Sequence, residues 1–243
     1  MLGTARNFER HLLVAVDAVG YGRGNDQDHF AMQSGIKAVL RDAAAAAQLD
    51  RDRWALQPAG DGELAVLPAG EPEPLVVDAY ARQIDLRLSS YNSKLPPEHR
   101  IRLRMAVHHG SAMPAENGYA GRGVVAVTRL RDSPPVRDAL ASAPEAHLVL
   151  ALTGQIFTDI VLQGHVSFAP ADFSRALVQV KEFRDEAWIK VFGVPAAAAP
   201  SPAPASTPVA LPSAATHVIQ QTFHDTDARG ANFGFSFGRP GGS

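Results

Sequence analysis

The chain has 243 residues, of which 46% are hydrophobic and 20% charged, and its formal net charge at pH 7 is −2. This length suits one domain of ordinary size with an appendage, and the apolar content is sufficient for a sizeable core. The near-neutral charge gives no indication of a nucleic-acid or membrane-surface partner. The sequence contains no cysteine, which excludes disulfides, thiolate metal sites and cysteine nucleophiles.

The first predicted element is a short buried strand over residues 12–16, an apolar run that ends at Asp17. This run is too short for a signal-peptide core or a membrane span, so we expect a cytoplasmic protein without a membrane-embedded part. A helix is predicted next over residues 25–48, because its apolar residues recur at helical spacing. Asn25 or Asp26 is a suitable N-cap for this helix.

The following segments continue the alternation of strands and helices. Two short strands at 54–59 and 63–67 flank Gly60-Asp61-Gly62, and an Asp-Gly pair at such a position predicts a hairpin. Further along, the spacing of apolar residues predicts helices over 74–91, 124–130, 134–142 and 153–162, and Thr153 is expected to cap the last of them. Strands are predicted over 101–108, 147–152, 177–180 and 187–192, the first of them half-buried. This order predicts an α+β fold with a ferredoxin-like βαββαβ core and extra C-terminal α/β elements.

Two of these segments carry candidate chemistry. Asp17 ends the first strand and is followed by Gly20, Gly22 and Gly24, whose backbone, with the amides opening the next helix, can approach an anion such as phosphate. Asp61 lies at the hairpin tip. If the first strand adjoins this hairpin, the two carboxylates meet at one edge of the sheet, where they could hold Mg²⁺ or Mn²⁺. The alternatives are that the Asp-Gly pair only makes the turn and that Asp17 only caps or ends its element.

In their order along the chain, several motifs resemble those of class III adenylyl and guanylyl cyclase domains. Asp17-Ala-Val-Gly20-Tyr21 is similar to the D-x-x-G-F motif of that family. Further similar motifs are Gly60-Asp61-Gly62-Glu-Leu-Ala-Val (G-D-G-x-x-A-V), Arg104-Met-Ala-Val-His108-His-Gly (R-I-G-I-H-T-G), Gly121-Arg-Gly-Val-Val125-Ala-Val-Thr-Arg129-Leu (G-x-x-V-N-x-A-A-R-L) and the closing strands around Val180-Lys181 and Trp188. The resemblance covers residues 10–194 and implies a divergent bacterial member of the family, with a cyclase-like domain over residues 1–194.

The resemblance implies that the 3′-hydroxyl of a nucleoside triphosphate attacks its own α-phosphate and that pyrophosphate leaves. Asp17 and Asp61 match the two metal-binding aspartates, with Mg²⁺ or Mn²⁺ as the cofactor, and Arg129 matches the catalytic arginine that stabilises the transition state. The backbone of Val19, Gly20, Tyr21 and Gly22 matches the triphosphate cradle. Lys181 or Arg184 matches the basic residue near the triphosphate, in a local sequence that departs from V-K-G-K-G.

The positions that contact the base and ribose depart from the family. Gln57 replaces the lysine of adenylyl cyclases or the glutamate of guanylyl cyclases, and Gly118 replaces the usual aspartate, cysteine or threonine. Val125 replaces the asparagine that helps to place the ribose, and valine cannot hydrogen-bond through its side chain. Three interpretations follow: another base is used, as in bacterial cyclases of antiviral systems that make cyclic pyrimidine nucleotides; turnover is slow and promiscuous; or the domain is catalytically inactive and binds a nucleotide without turnover, or nothing.

The resemblance also implies a dimer, because in this family the metals and the base contacts come from different domains. We therefore expect a head-to-tail homodimer, or a heterodimer with another cyclase domain. After the domain, proline and alanine dominate residues 195–215, which predicts an extended, disordered linker. Residues 216–243 contain alternating Phe233, Phe235 and Phe237, which indicates either a disordered end or a short motif that docks on a protein partner or self-assembles.

Overall fold

A computed structural model describes residues 9–20, 25–181 and 183–193 of the chain. The predicted linker and tail, and Tyr21 and Gly22 of the proposed phosphate cradle, lie outside the described residues. Within the described residues, no helix combines the length and the apolar character needed to cross a membrane.

A seven-stranded sheet forms the centre of the domain. Its strands are β1 (Arg10–Ala18), β2 (Ala55–Ala59), β3 (Gly62–Val66), β4 (Leu103–Ser111), β7 (Leu148–Thr153), β8 (Ser174–Val180) and β9 (Phe183–Val191). Across the sheet they run in the order β2-β3-β1-β4-β7-β9-β8. Every neighbouring pair is antiparallel except β4 and β7, which are parallel. A separate small hairpin joins β5 (Met113–Ala115) to β6 (Gly118–Ala120).

Helices cover both faces of the sheet. They are α1 (Asp26–Ala46), α2 (Glu73–Leu75), α3 (Ala81–Asn92), α4 (Arg122–Arg131), α5 (Pro134–Ala141) and α6 (Gly154–Ile156). A π-helical turn (Val76–Tyr80) joins α2 to α3, and a second π-helical turn (Phe157–Val161) follows α6. Short 3₁₀ turns occupy Arg51–Arg53, Pro97–His99 and Pro170–Asp172. Leu12, Val14 and Val16 of β1 pack in one core with α1 and α3. Leu13 and Ala15 pack in a second core with α4 and α5.

This two-sided burial explains the uninterrupted apolar run of β1. Successive side chains of a strand point to opposite faces, so a strand covered on both faces needs apolar residues at every position. The predicted α+β class and the βαββαβ order, here β1-α1-β2-β3-α3-β4, are confirmed. Asn25 caps α1 as predicted, because its side chain accepts bonds from the amides of Gln27 and Asp28.

Three predictions of local structure were wrong or incomplete. The strand around residues 101–108 is not half-buried but central, since β4 lies between β1 and β7 with helices on both faces. Thr153 begins α6 without a side-chain cap, because its hydroxyl lies 3.3 Å from Nδ1 of His108 instead. The β5–β6 hairpin was not predicted, since three-residue strands are too short to show a period.

Candidate active site

Antiparallel pairing of β1 with β3 brings the two predicted metal-binding aspartates together. Asp17 is opposite Gly62 in this pairing, and the amide of Ala18 donates to the carbonyl oxygen of Asp61 over 3.2 Å. The strands can approach this closely only because residue 62 is glycine. A Cβ there would overlap the carbonyl oxygen of Val16 and lie 2.9 Å from Cα of Asp17. The Gly-Asp-Gly segment therefore does more than turn the chain, since it sets Asp61 beside the end of β1.

The two carboxylates interact electrostatically. Burial raises the pKa of Asp61, and the nearby negative charge of Asp17 raises it further. Asp17 itself is buried, with 8% of its surface exposed. Two carboxylates in such a place repel each other when both are ionised, and a bound cation relieves that repulsion.

Two arginines flank the carboxylates. Arg104, opposite Asp17 in the β1–β4 pairing, forms an ion pair with the Asp17 carboxylate. Arg131, at the end of α4, donates to both carboxylate oxygens of Asp132, over 2.9 and 2.8 Å, and lies 3.4 Å from the carbonyl oxygen of Val16. Burial alone would lower the pKa of Arg131, but its bond with Asp132 and the charges of Asp132, Asp17 and Asp61 raise it. The negative charges of the aspartates are thus partly offset by two neighbouring guanidinium groups.

This donor set fits a small divalent cation that prefers oxygen ligands. Mg²⁺ in particular is commonly held by one or two carboxylates, with water and substrate phosphates completing its shell. A carboxylate has two acceptor oxygens, so Asp17 can keep Arg104 on one and offer the other. Over the part of the chain that the structure describes, no cluster of three or more histidine, aspartate or glutamate side chains is placed to hold a metal by itself. Such a cation would therefore depend on ligands from a bound nucleotide and water.

The glycine-containing segment after β1 is only partly described. Val19 is exposed, and its amide donates to the carbonyl oxygen of Arg102 over 2.9 Å. Gly20 follows with a φ of +88°, a conformation that turns the chain away from the strand. The amides of Gln27 and Asp28, at the start of α1, already donate to the Asn25 side chain over 2.8 and 3.1 Å. These two amides at the start of the helix are therefore already occupied by the cap.

A cavity of about 280 Å³ adjoins the same hairpin on its α1 side. It is lined by Gln33, Ile36 and Lys37 of α1 and by Pro58, Gly60, Asp61, Gly62 and Glu63 of the hairpin. Arg51 fixes this side of the hairpin, because its Nη2 donates to both carboxylate oxygens of Glu63 over 2.6 Å each. The hairpin that carries Asp61 is thereby tied to the segment that precedes β2.

The predicted base-contact positions Gln57 and Gly118 also come together. Gln57 lies on the edge strand β2, and the small β5–β6 hairpin brings Gly118 against its amide. The amide of Tyr119 donates to Oε1 of Gln57 over 3.0 Å. Val125 and Arg129 lie one turn apart on α4 and share a face. Val125 is 43% exposed, so its side chain presents apolar surface to solvent.

The sheet places Lys181 and the two carboxylates at opposite ends of its strands. Asp17 and Asp61 lie at the end where β4 begins, whereas Lys181 lies in the turn after β8, beyond the end where β4 finishes. A nine-residue strand such as β4 spans roughly 30 Å. Lys181 also lies at the opposite edge of the sheet from the hairpin of Asp61. One copy of the domain therefore does not bring Lys181 to the two carboxylates.

Sequence reasoning missed the residues closest to the carboxylates, namely Arg104, Arg131 and Asp132. Arg104 was visible as a charge within an apolar strand, but its partner depends on strand register, which the sequence does not specify. The arginine of α4 that the family resemblance indicates is Arg129. Residues two positions apart point to different sides of a helix. Arg131 lies close enough to Asp17 and Asp61 for their charges to raise its pKa.

Solved structures of nucleotide cyclases have the same fold as this chain. The adenylate/guanylate cyclase/hydrolase from Silicibacter pomeroyi is 21% identical, with 76% of this chain and 99% of that chain covered and a TM-score of 0.55. The guanylyl cyclase Cya2 is 13% identical, with 77% and 93% covered and a TM-score of 0.53. No protein-family model and no curated protein sequence matches the chain. The described domain thus has the fold of adenylyl and guanylyl cyclase domains.

Proposed function

We propose that the protein is a metal-dependent nucleotidyl cyclase that converts a nucleoside triphosphate into a 3′,5′-cyclic nucleotide and pyrophosphate. The observation that carries this proposal is the close approach of Asp17 and Asp61 across the pairing of β1 with β3, where burial and then the charge of Asp17 raise the pKa of Asp61. A pair of this kind costs stability in the free protein, so its presence at the end of a buried strand favours a role in holding a cation.

In the proposed reaction the 3′-oxygen forms a bond to the α-phosphorus, the bond to the pyrophosphate oxygen breaks, and the 3′-hydroxyl proton is released. Mg²⁺ or Mn²⁺ held by Asp17 and Asp61 would supply charge neutralisation for the phosphates and lower the pKa of the hydroxyl. The chain contributes position and charge. The backbone of Val19 and Gly20 would line the triphosphate, and a guanidinium would offset the charge that develops on the phosphoryl oxygens.

We propose that a complete site needs two copies of the chain. The carboxylates and Lys181 lie at opposite ends and edges of the sheet, so one nucleotide cannot contact both groups of a single copy. A head-to-tail pair would set Asp17 and Asp61 of one protomer against Gln57, Arg129 and Lys181 of its partner. Exposed apolar side chains of Phe30, Leu56 and Val125, with 74%, 43% and 43% of their surfaces accessible, would be covered in such a pair. A heterodimer with another cyclase domain would satisfy the same geometry.

A second candidate is a nucleotide-binding module without turnover, which signals through residues 216–243. Two observations favour it. Arg104 is already ion-paired with Asp17, which leaves only one oxygen of this carboxylate for a metal. In addition, Val125 presents an apolar surface at the position where the family has an asparagine. A binding module tolerates both features, whereas efficient cyclisation needs a well-placed ribose.

The deciding experiment incubates the purified protein with each of the four ribonucleoside triphosphates and Mn²⁺, and detects cyclic monophosphates by mass spectrometry. Asp17→Ala and Asp61→Asn are expected to abolish the product, while Asp159→Asn, an exposed aspartate outside the site, is the matched control. Light scattering of the same samples checks that each variant keeps the oligomeric mass of the wild type. Product that persists in both site variants would remove these residues from the metal role. Binding of a triphosphate without product would favour the second candidate.

A further inference from the structure

A second cavity, of about 490 Å³, lies between α3, the end of β9 and the segment that precedes β8. Its volume is within the range of about 300–1,000 Å³ that is usual for ligand pockets. Lys190 lines it from the α3 side of the sheet, since it is opposite Leu150, a residue of the core that contains α1 and α3. β9 is three strands away from β1, roughly 14 Å across the sheet. This cavity is therefore separate from Asp17 and Asp61.

Two cations line this cavity and lie over the same aromatic ring. Cζ of Arg82 is 4.7 Å and Nζ of Lys190 is 4.9 Å from the centre of the Phe168 ring. Among the described residues Arg82 donates only from Nε, to Asp78, so its two terminal nitrogens are available to a further acceptor. Lys190, with 15% of its side chain exposed, lies 3.4 Å from a carboxylate oxygen of Asp172. The cavity thus offers cationic donors to an anionic group.

One carboxylate in the wall of the cavity lacks a partner. Within the described part of the chain, no hydrogen bond or salt bridge reaches Asp85, which lies three positions after Arg82 on α3. Burial raises the pKa of Asp85, whereas the charges of His147 and Lys190 partly offset this effect. A partly buried carboxylate without a donor is unfavourable. Asp85 is therefore an available acceptor beside the two cationic donors.

We propose that this cavity binds a small zwitterion of the α-amino acid class. The carboxylate of the ligand would accept hydrogen bonds from Arg82 and Lys190, and its ammonium group would donate to Asp85. An anion without an amino group would place a second negative charge beside Asp85, and a cation without a carboxylate would be repelled by Arg82 and Lys190. The two charges of an α-amino acid are close together. This suits Arg82 and Asp85, because Cβ atoms three positions apart on a helix are about 5–6 Å apart.

Apolar residues form the part of the wall that would face the side chain of the amino acid. Leu86 lies four positions after Arg82 on α3, lines the cavity and has 59% of its surface exposed. Val191 and Phe192 line the cavity from the end of β9. A ligand that covered Leu86 would remove apolar surface from water. The ligand that fits these groups is therefore an amino acid with an apolar side chain, such as leucine.

Isothermal titration calorimetry of the full chain with L-leucine tests the proposal, and it needs no nucleotide. Two further probes each lack one charge: 4-methylpentanoate has no ammonium group, and 3-methylbutylamine has no carboxylate. L-Leucine is expected to bind about tenfold or more tightly than either probe, because each missing group removes charge-assisted hydrogen bonds. No binding of L-leucine to the folded protein, or equally tight binding of 4-methylpentanoate, would overturn the proposal.

Substitutions locate the binding site. Asp85→Asn, which keeps the shape of the side chain, and Arg82→Gln, which removes a half-exposed cation, are each expected to weaken L-leucine binding by about tenfold or more. Asp159→Asn is the matched control, and Asp61→Asn tests whether the site is distinct from the proposed nucleotide site. Both should bind L-leucine as the wild type does. Circular dichroism checks that each variant is folded.

The outcomes for these variants separate this proposal from the proposed function. An unchanged Kd in folded Asp85→Asn and Arg82→Gln would overturn the proposal, because the ligand would then bind elsewhere. Loss of L-leucine binding in Asp61→Asn would overturn it as well. Neither result bears on the turnover of nucleoside triphosphates, which is measured without L-leucine.

Discussion

Replacing Asp61 by asparagine should stabilise the protein in the absence of divalent cations. Asparagine has the same shape and is compatible with a turn, so the substitution removes the charge and little else. The pKa of Asp61 is raised in the folded state by burial and by Asp17. The unfolded chain therefore loses this proton at lower pH than the folded chain. Stability falls as pH rises from the ordinary value of 3.8 through the raised pKa, and the loss persists at neutral pH.

The size of the effect follows from the linkage between pKa and stability. One unit of pKa shift corresponds to about 1.4 kcal/mol. Asp61 is only partly buried, so solvent screening reduces the gain, and we expect roughly 0.5–1 kcal/mol. For a domain of this size that is a rise in Tm of about 1–4 °C. Mn²⁺ should stabilise the wild type but not the Asp61→Asn variant. At about 100 times its Kd it would stabilise the wild type by roughly 2.7 kcal/mol and leave Asp61→Asn almost unchanged.

Differential scanning calorimetry at pH 7, with EDTA and with Mn²⁺, measures both effects. Asp159→Asn, an exposed aspartate on the second π-helical turn, is the control, and its Tm should match the wild type under both conditions. A lower Tm for Asp61→Asn in EDTA would show that the carboxylate serves the turn and is not in conflict with Asp17. Equal stabilisation of Asp61→Asn by Mn²⁺ would show that the cation binds elsewhere.

Three further changes test buried polar side chains of the domain, the first of them beside the site. Arg104→Met should lower the free energy of unfolding, measured in urea, by about 3 kcal/mol, because it leaves the buried Asp17 carboxylate without its counter-ion. The same substitution should lower it by less in a protein that also carries Asp17→Asn. Asn92→Leu should cost roughly 2–4 kcal/mol, since the Asn92 side chain bonds both the amide and the carbonyl of Ile101 over 2.8 Å each, and an unchanged urea midpoint would contradict this. Burial, Arg10 and His109 lower the pKa of His108 to about 4, so the free energy of unfolding should fall as the pH falls from 6.5 toward 4. The substitution His108→Gln should remove that part of the pH dependence. An NMR titration of His108 that gave a pKa near 6.5 would refute this prediction.

The fold was predictable because the local patterns of the sequence and the order of the elements they indicate are consistent with one arrangement. The apolar run of β1, the capping residue Asn25 and the Asp-Gly turn each specify a local element, and their order specifies the sheet. The long helix that begins at Glu73 was also found, but its π-helical turn was not, since one inserted residue leaves the apolar stripe nearly intact. What the sequence lacked was register. Register depends on contacts between segments that are far apart along the chain.

In the candidate site, too, residues that belong to a local pattern were predictable, whereas contacts between distant segments were not. Asp17 and Asp61 were recognisable because each sits at the end of a local element with a clear pattern. Arg104 of β4 lies 87 positions from Asp17 along the chain, and Arg131 of α4 lies 70 positions from Asp61. No local pattern in the sequence indicates that these residues meet. The contact between Gln57 and Tyr119 was equally hidden, since it depends on a hairpin of two three-residue strands.

The arrangement of the sheet explains how one half of the site could change while the other was retained. Asp17 and Asp61 are held by β1, β3 and the Gly62 contact, at one end of the sheet. Gln57 is the middle residue of the edge strand β2, opposite Leu64 of β3, and Gly118 begins a separate small hairpin. On the proposed function, a substitution at position 57 or 118 would act first on the base contacts. Because the two groups would meet only between two protomers, the specificity of such a protein could shift while its metal chemistry stayed in place.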